Sequence, residues 1–313
     1  MTAHHRPPRH RARAAAALAL AAALTLAACG SGDPLAGDPT DGPTDRAGTT
    51  LVVGSQDYYS NEIIAEIYAQ ALEADGYTID RQFRIGQREV YLPEIEAGSI
   101  DLFPEYTGPL LQYWVPGPAE RKADEVYDAL VAATPEGLRV LEQSDATDQD
   151  TYAVTRAFAT EWNLQGIADL SRVTVPMTMG ANSEAENRPN GPEGLAAVYG
   201  VQVAFTPIED GGGPLTVKAL QDNAIQLAII YTADPTVVNN DLVLLQDTKG
   251  LFLASHVVPV ASANVDAQAE AIIDGISEAM SAQDLLTLNA RSVNEQLPAA
   301  TIAADWLADK GLG

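Results

Sequence analysis

Two tyrosines, Tyr106 and Tyr231, end two similar segments of the chain. Residues 95–107 read I-E-A-G-S-I-D-L-F-P-E-Y-T and residues 220–232 read L-Q-D-N-A-I-Q-L-A-I-I-Y-T, 125 positions further along. Each segment is typical of a helix end, a Gly or Asn stop and a short apolar strand, with the tyrosine at the strand's carboxyl end. Ligands of open α/β sheets bind beyond these strand ends, and a tyrosine face attracts cations. The repeat therefore predicts two lobes that each offer a tyrosine to one shared cleft.

The elements around these tyrosines alternate between strands and helices, which predicts an α/β fold with parallel-rich sheets. Short apolar runs at residues 173–175 and 201–205 are predicted as strands, and the chain is predicted to be helical after about residue 267. We expect a discontinuous first lobe of residues 51–153 plus 257–313, with residues 154–256 forming an inserted second lobe. Two chain crossings between the lobes would form the hinge.

The N-terminus predicts export and membrane anchoring. Four arginines without any acid precede an apolar run at residues 14–28, which ends in Leu-Ala-Ala-Cys and resembles a bacterial lipobox. We expect residues 1–28 to be a lipoprotein signal peptide, Cys29 to be lipidated, and residues 29–50 to be a flexible tether, because they contain few apolar side chains. An ordinary secretory signal with a chance cysteine is the alternative. The protein is thus expected outside the cytoplasm, anchored to the bacterial cell membrane.

The composition argues against several function classes. The sequence holds 43 acids and 18 Lys or Arg, for a formal charge of −25, which disfavours nucleic-acid binding because phosphates require cations. Cys29 is the only cysteine, which excludes an intrachain disulfide and a cysteine-based metal site. His256 is the only histidine after residue 28, so neither a histidine-rich metal site nor a catalytic triad is expected. We predict no enzyme activity and no cofactor.

The sequence also resembles a known family. It is similar to the substrate-binding proteins of osmoprotectant ABC transporters, which take up glycine betaine, choline and carnitine. The motifs that carry the resemblance are Gly54-Ser55, I-D-L-F-P-E-Y-T-G at 100–108, D-T-Y-A-V at 150–154, R-P-N-G at 188–191 and D-T-K-G at 247–250. The resemblance implies a two-lobed periplasmic binding protein fold of type II topology that closes on its ligand. It also implies an ABC permease as partner, and we expect a monomer.

The resemblance assigns roles to four residues of the cleft, and Asp150 is a further candidate through a backbone or carboxylate oxygen. Tyr106, Tyr152 and Tyr231 match the family's aromatic cage, which holds a quaternary ammonium through ring faces. Asp150 would add an oxygen contact to the cationic head, and Arg188 matches the arginine that grips the ligand's carboxylate. Each tyrosine has a core or rim position as its alternative, and the arginine has a surface position.

Some family positions are replaced, which leaves one wall of the cage unassigned. The replacements are Gln56, Pro109, Pro192 and the Ser255-His256 pair. Tyr58, Tyr59 and His256 are the candidates for the missing wall. A receptor for another zwitterion such as an amino acid, or a sensory lipoprotein, remains the alternative function.

Overall fold

The computed structural model describes residues 50–313. The predicted signal peptide, Cys29 and all of the predicted tether except its last residue lie outside the described residues. Within residues 50–313, no helix is long and apolar enough to cross a membrane.

Ten strands in the described part of the chain form two five-stranded sheets. The strands are β1 (Thr50–Gly54), β2 (Thr78–Gln82), β3 (Leu102–Tyr106), β4 (Leu138–Val140), β5 (Asp150–Thr155), β6 (Thr178–Ala181), β7 (Ala204–Pro207), β8 (Leu227–Tyr231), β9 (Leu242–Leu244) and β10 (Val257–Ser262). The first sheet has the order β2-β1-β3-β10-β4 and the second has the order β7-β6-β8-β5-β9.

Helices cover these sheets. They are α1 (Tyr59–Ala74), α2 (Arg88–Glu96), α3 (Thr107–Trp114), α4 (Ala123–Ala133), α5 (Arg156–Trp162), α6 (Pro192–Tyr199), α7 (Pro214–Gln221), α8 (Thr236–Asn239), α9 (Ala267–Ala279), α10 (Ala282–Glu295) and α11 (Ala299–Lys310). Short 3₁₀ helices span Ile167–Arg172 and Ser183–Asn187.

The two sheets share one topology, and the duplicated tyrosines occupy equivalent places in it. Strands β1, β2 and β3 pair in parallel, as do β6, β7 and β8. An antiparallel strand then follows in each sheet, with Val257 of β10 opposite Tyr106 and Asp150 of β5 opposite Tyr231. The sheets are therefore mixed rather than simply parallel-rich, because the strand that enters each lobe from the crossing runs opposite to the others.

The strand pairing changes the proposed lobe boundary on one side. Strand β5 pairs with β8 and β9 in the second sheet, although residues 150–153 were expected in the first lobe. We therefore place the first crossing before Asp150, whereas β10 begins at Val257, where the first lobe was expected to resume. Hydrogen bonds join the two crossings, since Thr147 Oγ1 donates to the Ser255 carbonyl at 2.7 Å and Ser255 Oγ donates to the Asp148 carbonyl at 3.0 Å.

Each sheet is buried on both faces, which explains its continuous apolar strands. In β8, Leu227 and Ile229 pack into one core cluster while Ala228 and Ile230 pack into another on the opposite face. In β1, Leu51 and Val53 belong to a core that also receives residues of α1, α9, α10 and α11. The C-terminal helices therefore complete the first lobe and leave the carboxyl ends of β3 and β8 free to line the cleft.

Candidate ligand-binding cleft

Three adjoining cavities lie between the lobes. The arginine end, of about 220 Å³, is lined by residues that include Arg88, Glu89, Gln112, Tyr113, Asp150 and Arg188. The tyrosine end, of about 560 Å³, is lined by residues that include Tyr58, Tyr59, Arg84, Glu184, Asp210 and Tyr231. A narrow neck of about 20 Å³ lies between them: Asp150 and Arg188 line both the neck and the arginine end, and Tyr231 lines both the neck and the tyrosine end. The three cavities form one elongated cleft with different chemistry at its two ends.

Two tyrosines from opposite lobes meet at the tyrosine end. Tyr58 immediately precedes α1 and Tyr231 ends β8, and their rings stack with centroids 5.2 Å apart at an interplanar angle of 20°. Carbon atoms in contact lie about 3.5–4 Å apart, so even one carbon layer between two parallel rings needs about 7 Å. A methylated ammonium therefore has to bind beside this stack or part the two rings.

Tyr106 lies beneath this pair, buried in the core at the end of β3. Its hydroxyl interacts with the side chains of Tyr58 and Ser60, although neither it nor the Ser60 Oγ has a hydrogen bond of full geometry. Neither residue lines one of the three cavities. Tyr106 therefore contributes to the tyrosine end from the core beside Tyr58.

A buried carboxyl group, that of Asp148, lies among these rings. It is close enough to Tyr58, Tyr106 and Tyr231 to interact with each electrostatically, and its Oδ1 accepts a hydrogen bond from the Ala233 amide at 2.8 Å. Burial raises the pKa of Asp148 to about 8, against the lowering effect of that hydrogen bond. The nearby carboxyls of Asp234 and Asp150 raise it further. A bound cation would stabilise the ionised form.

Replacing Asp148 by asparagine is expected to change how stability depends on pH. Between about pH 4 and pH 8 the native carboxyl keeps a proton that the unfolded chain has released. The free energy of unfolding therefore falls as pH rises, by at most about 1.4 kcal/mol per pH unit, and levels off above the native pKa. Asparagine does not titrate, so the free energy of unfolding of Asp148→Asn relative to the wild type should be higher at pH 8 than at pH 5. Urea unfolding at the two pH values measures this difference. An equal difference at both pH values would contradict this assignment.

The tyrosine end is acidic overall. The carboxylates that line it belong to Asp57, Glu184, Glu209, Asp210 and Asp234. The cation lining the same cavity, Arg84, donates to Glu62 at 2.5 Å, so its charge is already paired. Low-dielectric walls with one sign of charge concentrate the opposite ion. This end of the cleft favours a cationic group.

The arginine end is built from two paired arginines. Arg88 is buried and binds both oxygens of Glu105 at 2.8 and 2.9 Å, and Tyr91 also donates to Glu105. Arg188 crosses the cleft and binds both oxygens of Glu89 at 3.2 and 2.9 Å. Such forks are the geometry in which guanidinium recognises a carboxylate. This end is suited to a carboxylate, but protein carboxylates fill both forks.

Asp150 lies where the neck meets the arginine end. The Asn190 amide donates to its Oδ2 at 2.8 Å. Burial of its carboxyl raises the pKa of Asp150, although the residue keeps some exposed surface, while Arg188 and Arg88 oppose the shift. Asp150 can therefore accept hydrogen bonds from a ligand in the neck.

A tight loop before α6 positions Arg188. A Cβ on Gly191 would lie 2.1 Å from the Ala185 carbonyl oxygen, and one on Gly194 would lie 1.7 Å from the Pro189 carbonyl oxygen. Both contacts are far inside van der Waals distance, so the R-P-N-G sequence and the next turn require glycine at these places. The loop holds the arginine at the cleft mouth.

Comparison with known proteins identifies the class to which this cleft belongs. Residues 49–309 match the family model described as the substrate binding domain of ABC-type glycine betaine transport system. The chain belongs to this family. Its members are extracytoplasmic solute-binding components of ABC transporters and not enzymes, which confirms the predicted family and the expected lack of enzyme activity.

Individual relatives agree with this assignment. The chain is 25% identical to the glycine betaine-binding protein YehZ of Escherichia coli (strain K12), over 85% of this chain and 92% of YehZ. It is 24% identical to the ergothioneine transport permease/ergothioneine binding protein EgtU of Helicobacter pylori (strain G27), over 64% of this chain but only 36% of EgtU. A solved glycine betaine/carnitine/choline ABC transporter structure superposes with a TM-score of 0.66 at 18% identity, covering 84% of this chain and 99% of that one. This confirms the two-lobed α/β fold.

The structure brings most of the predicted site residues of this family member to the cleft. Tyr58 and Tyr231 line the tyrosine end, and Asp150 and Arg188 line the arginine end. Tyr106 interacts with Tyr58 and Tyr231 from below. Their roles toward a ligand remain predictions.

Two further predicted site residues, like Tyr106, line none of the three cavities. Tyr152 is fully buried in the core of the second lobe, where its hydroxyl donates to the Asn190 carbonyl at 2.8 Å and its ring packs edge-on against Phe252. His256 lies in the crossing, with Nδ1 2.8 Å from the Ser144 carbonyl oxygen. Since a carbonyl only accepts, Nδ1 carries the proton. In this structure neither residue forms a wall of the cage.

The cleft also contains residues that the sequence interpretation missed. Asp148 lies beside the cleft tyrosines but precedes β5, so strand alternation does not indicate it. Glu89 is the second residue of α2, and no local pattern indicates that it reaches Arg188. Within residues 50–313 no group of three His, Cys, Asp or Glu side chains is arranged to hold a metal ion.

Proposed function

We propose that this chain captures a quaternary-ammonium osmoprotectant and delivers it to an ABC permease. The observation that carries the proposal is the tyrosine end, where Tyr58 and Tyr231 stack across the lobes and interact electrostatically with Tyr106 and Asp148. A quaternary ammonium donates no hydrogen bond and is held by ring faces and nearby negative charge. Glycine betaine, choline and carnitine fit this chemistry. The relative EgtU extends the class to ergothioneine, a larger betaine.

A zwitterionic ligand would lie along the cleft. Its cationic head would contact the tyrosine end, and its carboxylate would reach through the neck toward Arg188. Such a ligand touches both lobes only when they are close together, so it would favour the closed arrangement through differential contacts. Small-angle scattering measures this directly, and an unchanged radius of gyration at saturation would contradict closure.

The proposal includes a lipid anchor and a monomeric receptor. Cys29 follows the apolar run directly, and cleavage before it would expose its amino group and thiol for lipid attachment. Fractionation of cells that produce Cys29→Ala tests the anchor, because the variant should leave the membrane fraction. Light scattering of the domain tests the monomer.

Calorimetric titration with matched ligand pairs tests the ligand class. We expect glycine betaine or choline to bind at least tenfold more tightly than glycine or ethanolamine, which have the same charges but lack the methyl groups. The methyl groups carry the ring contacts, worth about 0.5–2 kcal/mol per cation–aromatic pair. Carnitine and ergothioneine complete the panel. Equal or tighter binding of the unmethylated ligands would contradict the proposal.

A receptor for another zwitterion is the second candidate. Asp150 lines the neck, and its carboxylate oxygens would accept hydrogen bonds from a primary ammonium. The same titration decides between the two, since an amino acid would then bind more tightly than its trimethylated counterpart. A sensory lipoprotein would bind the solute but show no solute uptake together with a permease.

A further inference from the structure

Glu89 binds the edge of Arg188 that a ligand's carboxylate would use under the function proposed above. It extends from α2 in the first lobe and accepts hydrogen bonds from Nε and Nη2 of Arg188 in the second lobe. Both oxygens of the carboxylate and two nitrogens of the fork are engaged. These two nitrogens form one bidentate edge of the guanidinium, so a second carboxylate that uses the same edge must displace Glu89.

Glu89 differs from its neighbouring ion pair in a way that permits displacement. The Arg88–Glu105 pair lies within the first lobe, with side chains 8% and 0% exposed. The Arg188–Glu89 pair joins the two lobes, with side chains 22% and 42% exposed. An exposed partner can turn into solvent at little cost, whereas a buried one cannot. Glu89 is therefore an exchangeable occupant of the fork and Glu105 is a fixed one.

We propose, on the basis of the function proposed above, that Glu89 is a specificity-determining residue that competes with the ligand's carboxylate for Arg188. A ligand with a carboxylate must separate the Arg188–Glu89 pair before it gains the same contact. A ligand with a hydroxyl instead, such as choline, leaves the pair intact. Burial raises the pKa of the Glu89 carboxyl, but the hydrogen bonds and charge of Arg188 outweigh this and lower it overall, so the competitor is ionised at neutral pH.

Calorimetric titration of Glu89→Gln tests this competition. We expect the variant to bind glycine betaine about tenfold more tightly than the wild type, while the affinity for choline changes by less than about twofold. The two ligands share the trimethylammonium group and differ at the other end, so their ratio isolates the carboxylate. Unchanged or weaker glycine betaine binding, or an equal gain for both ligands, would overturn the proposal.

Glu186→Gln is the matched control. Glu186 lies two residues before Arg188, is exposed, and lines none of the three cavities, so its replacement removes the same charge beside the cleft without touching the fork. We expect unchanged affinities for both ligands. If Glu186→Gln reproduces the gain for glycine betaine, the effect is one of overall charge and the competition is refuted.

An acetate titration separates this inference from the proposed function. Acetate has a carboxylate and no cation, so it probes Arg188 even if no quaternary ammonium binds. In Glu89→Gln, the Arg188 Nε–H resonance should respond to acetate at a concentration at least about fivefold lower than in the wild type. The same acetate dependence in the wild type and in Glu89→Gln would refute the competition. If the acetate dependence differs between the two proteins but neither binds a quaternary ammonium, only the proposed function is refuted.

Discussion

Tyr231→Ala is expected to weaken the binding of glycine betaine or choline by about 30-fold. The tyrosine stands at the junction of the tyrosine end and the neck, on the lobe opposite Tyr58. A desolvated contact between a cation and a ring contributes about 2 kcal/mol, which corresponds to this factor. Tyr231→Phe keeps the ring face and should stay within about threefold of the wild type. Calorimetric titration measures all three proteins.

Tyr152→Leu is the control for this prediction, because it also removes a ring. The resemblance to the family assigned Tyr152 to the cage, whereas the structure places it in the core with its hydroxyl bound to the Asn190 carbonyl. We expect the folded variant to bind within about threefold of the wild type and to lose about 3 kcal/mol of stability. If Tyr152→Leu abolished binding while Tyr231→Ala did not, the cage described here would be wrong.

The second large effect is expected for stability. Glu105→Gln should lower the free energy of unfolding by about 3–5 kcal/mol, because it leaves the buried Arg88 guanidinium without a compensating charge. The same carboxylate accepts from the Tyr91 hydroxyl and from the Tyr106 amide, so the change reaches the strand end that carries a cleft tyrosine. Urea unfolding followed by circular dichroism measures the loss.

An exposed ion pair provides the comparison for Glu105. Lys218 and Asp222 pair across one turn of α7 with side chains 70% and 56% exposed. Lys218→Gln should cost no more than about 0.5 kcal/mol. Similar losses for Lys218→Gln and Glu105→Gln would contradict the view that Glu105 is fixed in a buried network.

The duplicated segment predicted the architecture well because it encodes local structure. The helix stops at Gly98 and Asn223 both adopt positive φ, and Tyr106 and Tyr231 end equivalent strands. Weaker patterns did less well. Residues 173–175 were predicted as a strand but follow a 3₁₀ helix, and β6 begins only at Thr178. A three-residue apolar run does not distinguish a strand from a packed connection.

Tyr152 was expected in the cage, but its position along β5 places it in the core. Asp150 and Tyr152 point to the same face of β5, but a step of two residues moves a side chain about 7 Å along the strand. That step separates the cleft from the core of the second lobe. Sequence alternation specifies the face and not the position at which the cleft ends, so it does not show that Asp150 lines the cleft while Tyr152 is buried.

The contacts between the lobes had no local signal at all. Tyr58 meets Tyr231, and Arg188 meets Glu89, across large separations in sequence. Such pairs depend on how the two lobes face each other, which no periodicity records. The sequence therefore indicates candidate residues for the cleft, and the structure shows which of them are partners across it.

A crystal structure of the domain with glycine betaine tests the central claim most directly. We expect the trimethylammonium group within about 6 Å of the ring centroids of at least two of Tyr58, Tyr106 and Tyr231, and the carboxylate directed toward Arg188. Tyr152 should stay in the core of the second lobe. A ligand whose cationic head lies at the arginine end, with the Tyr58–Tyr231 stack unchanged and out of contact with it, would contradict the account.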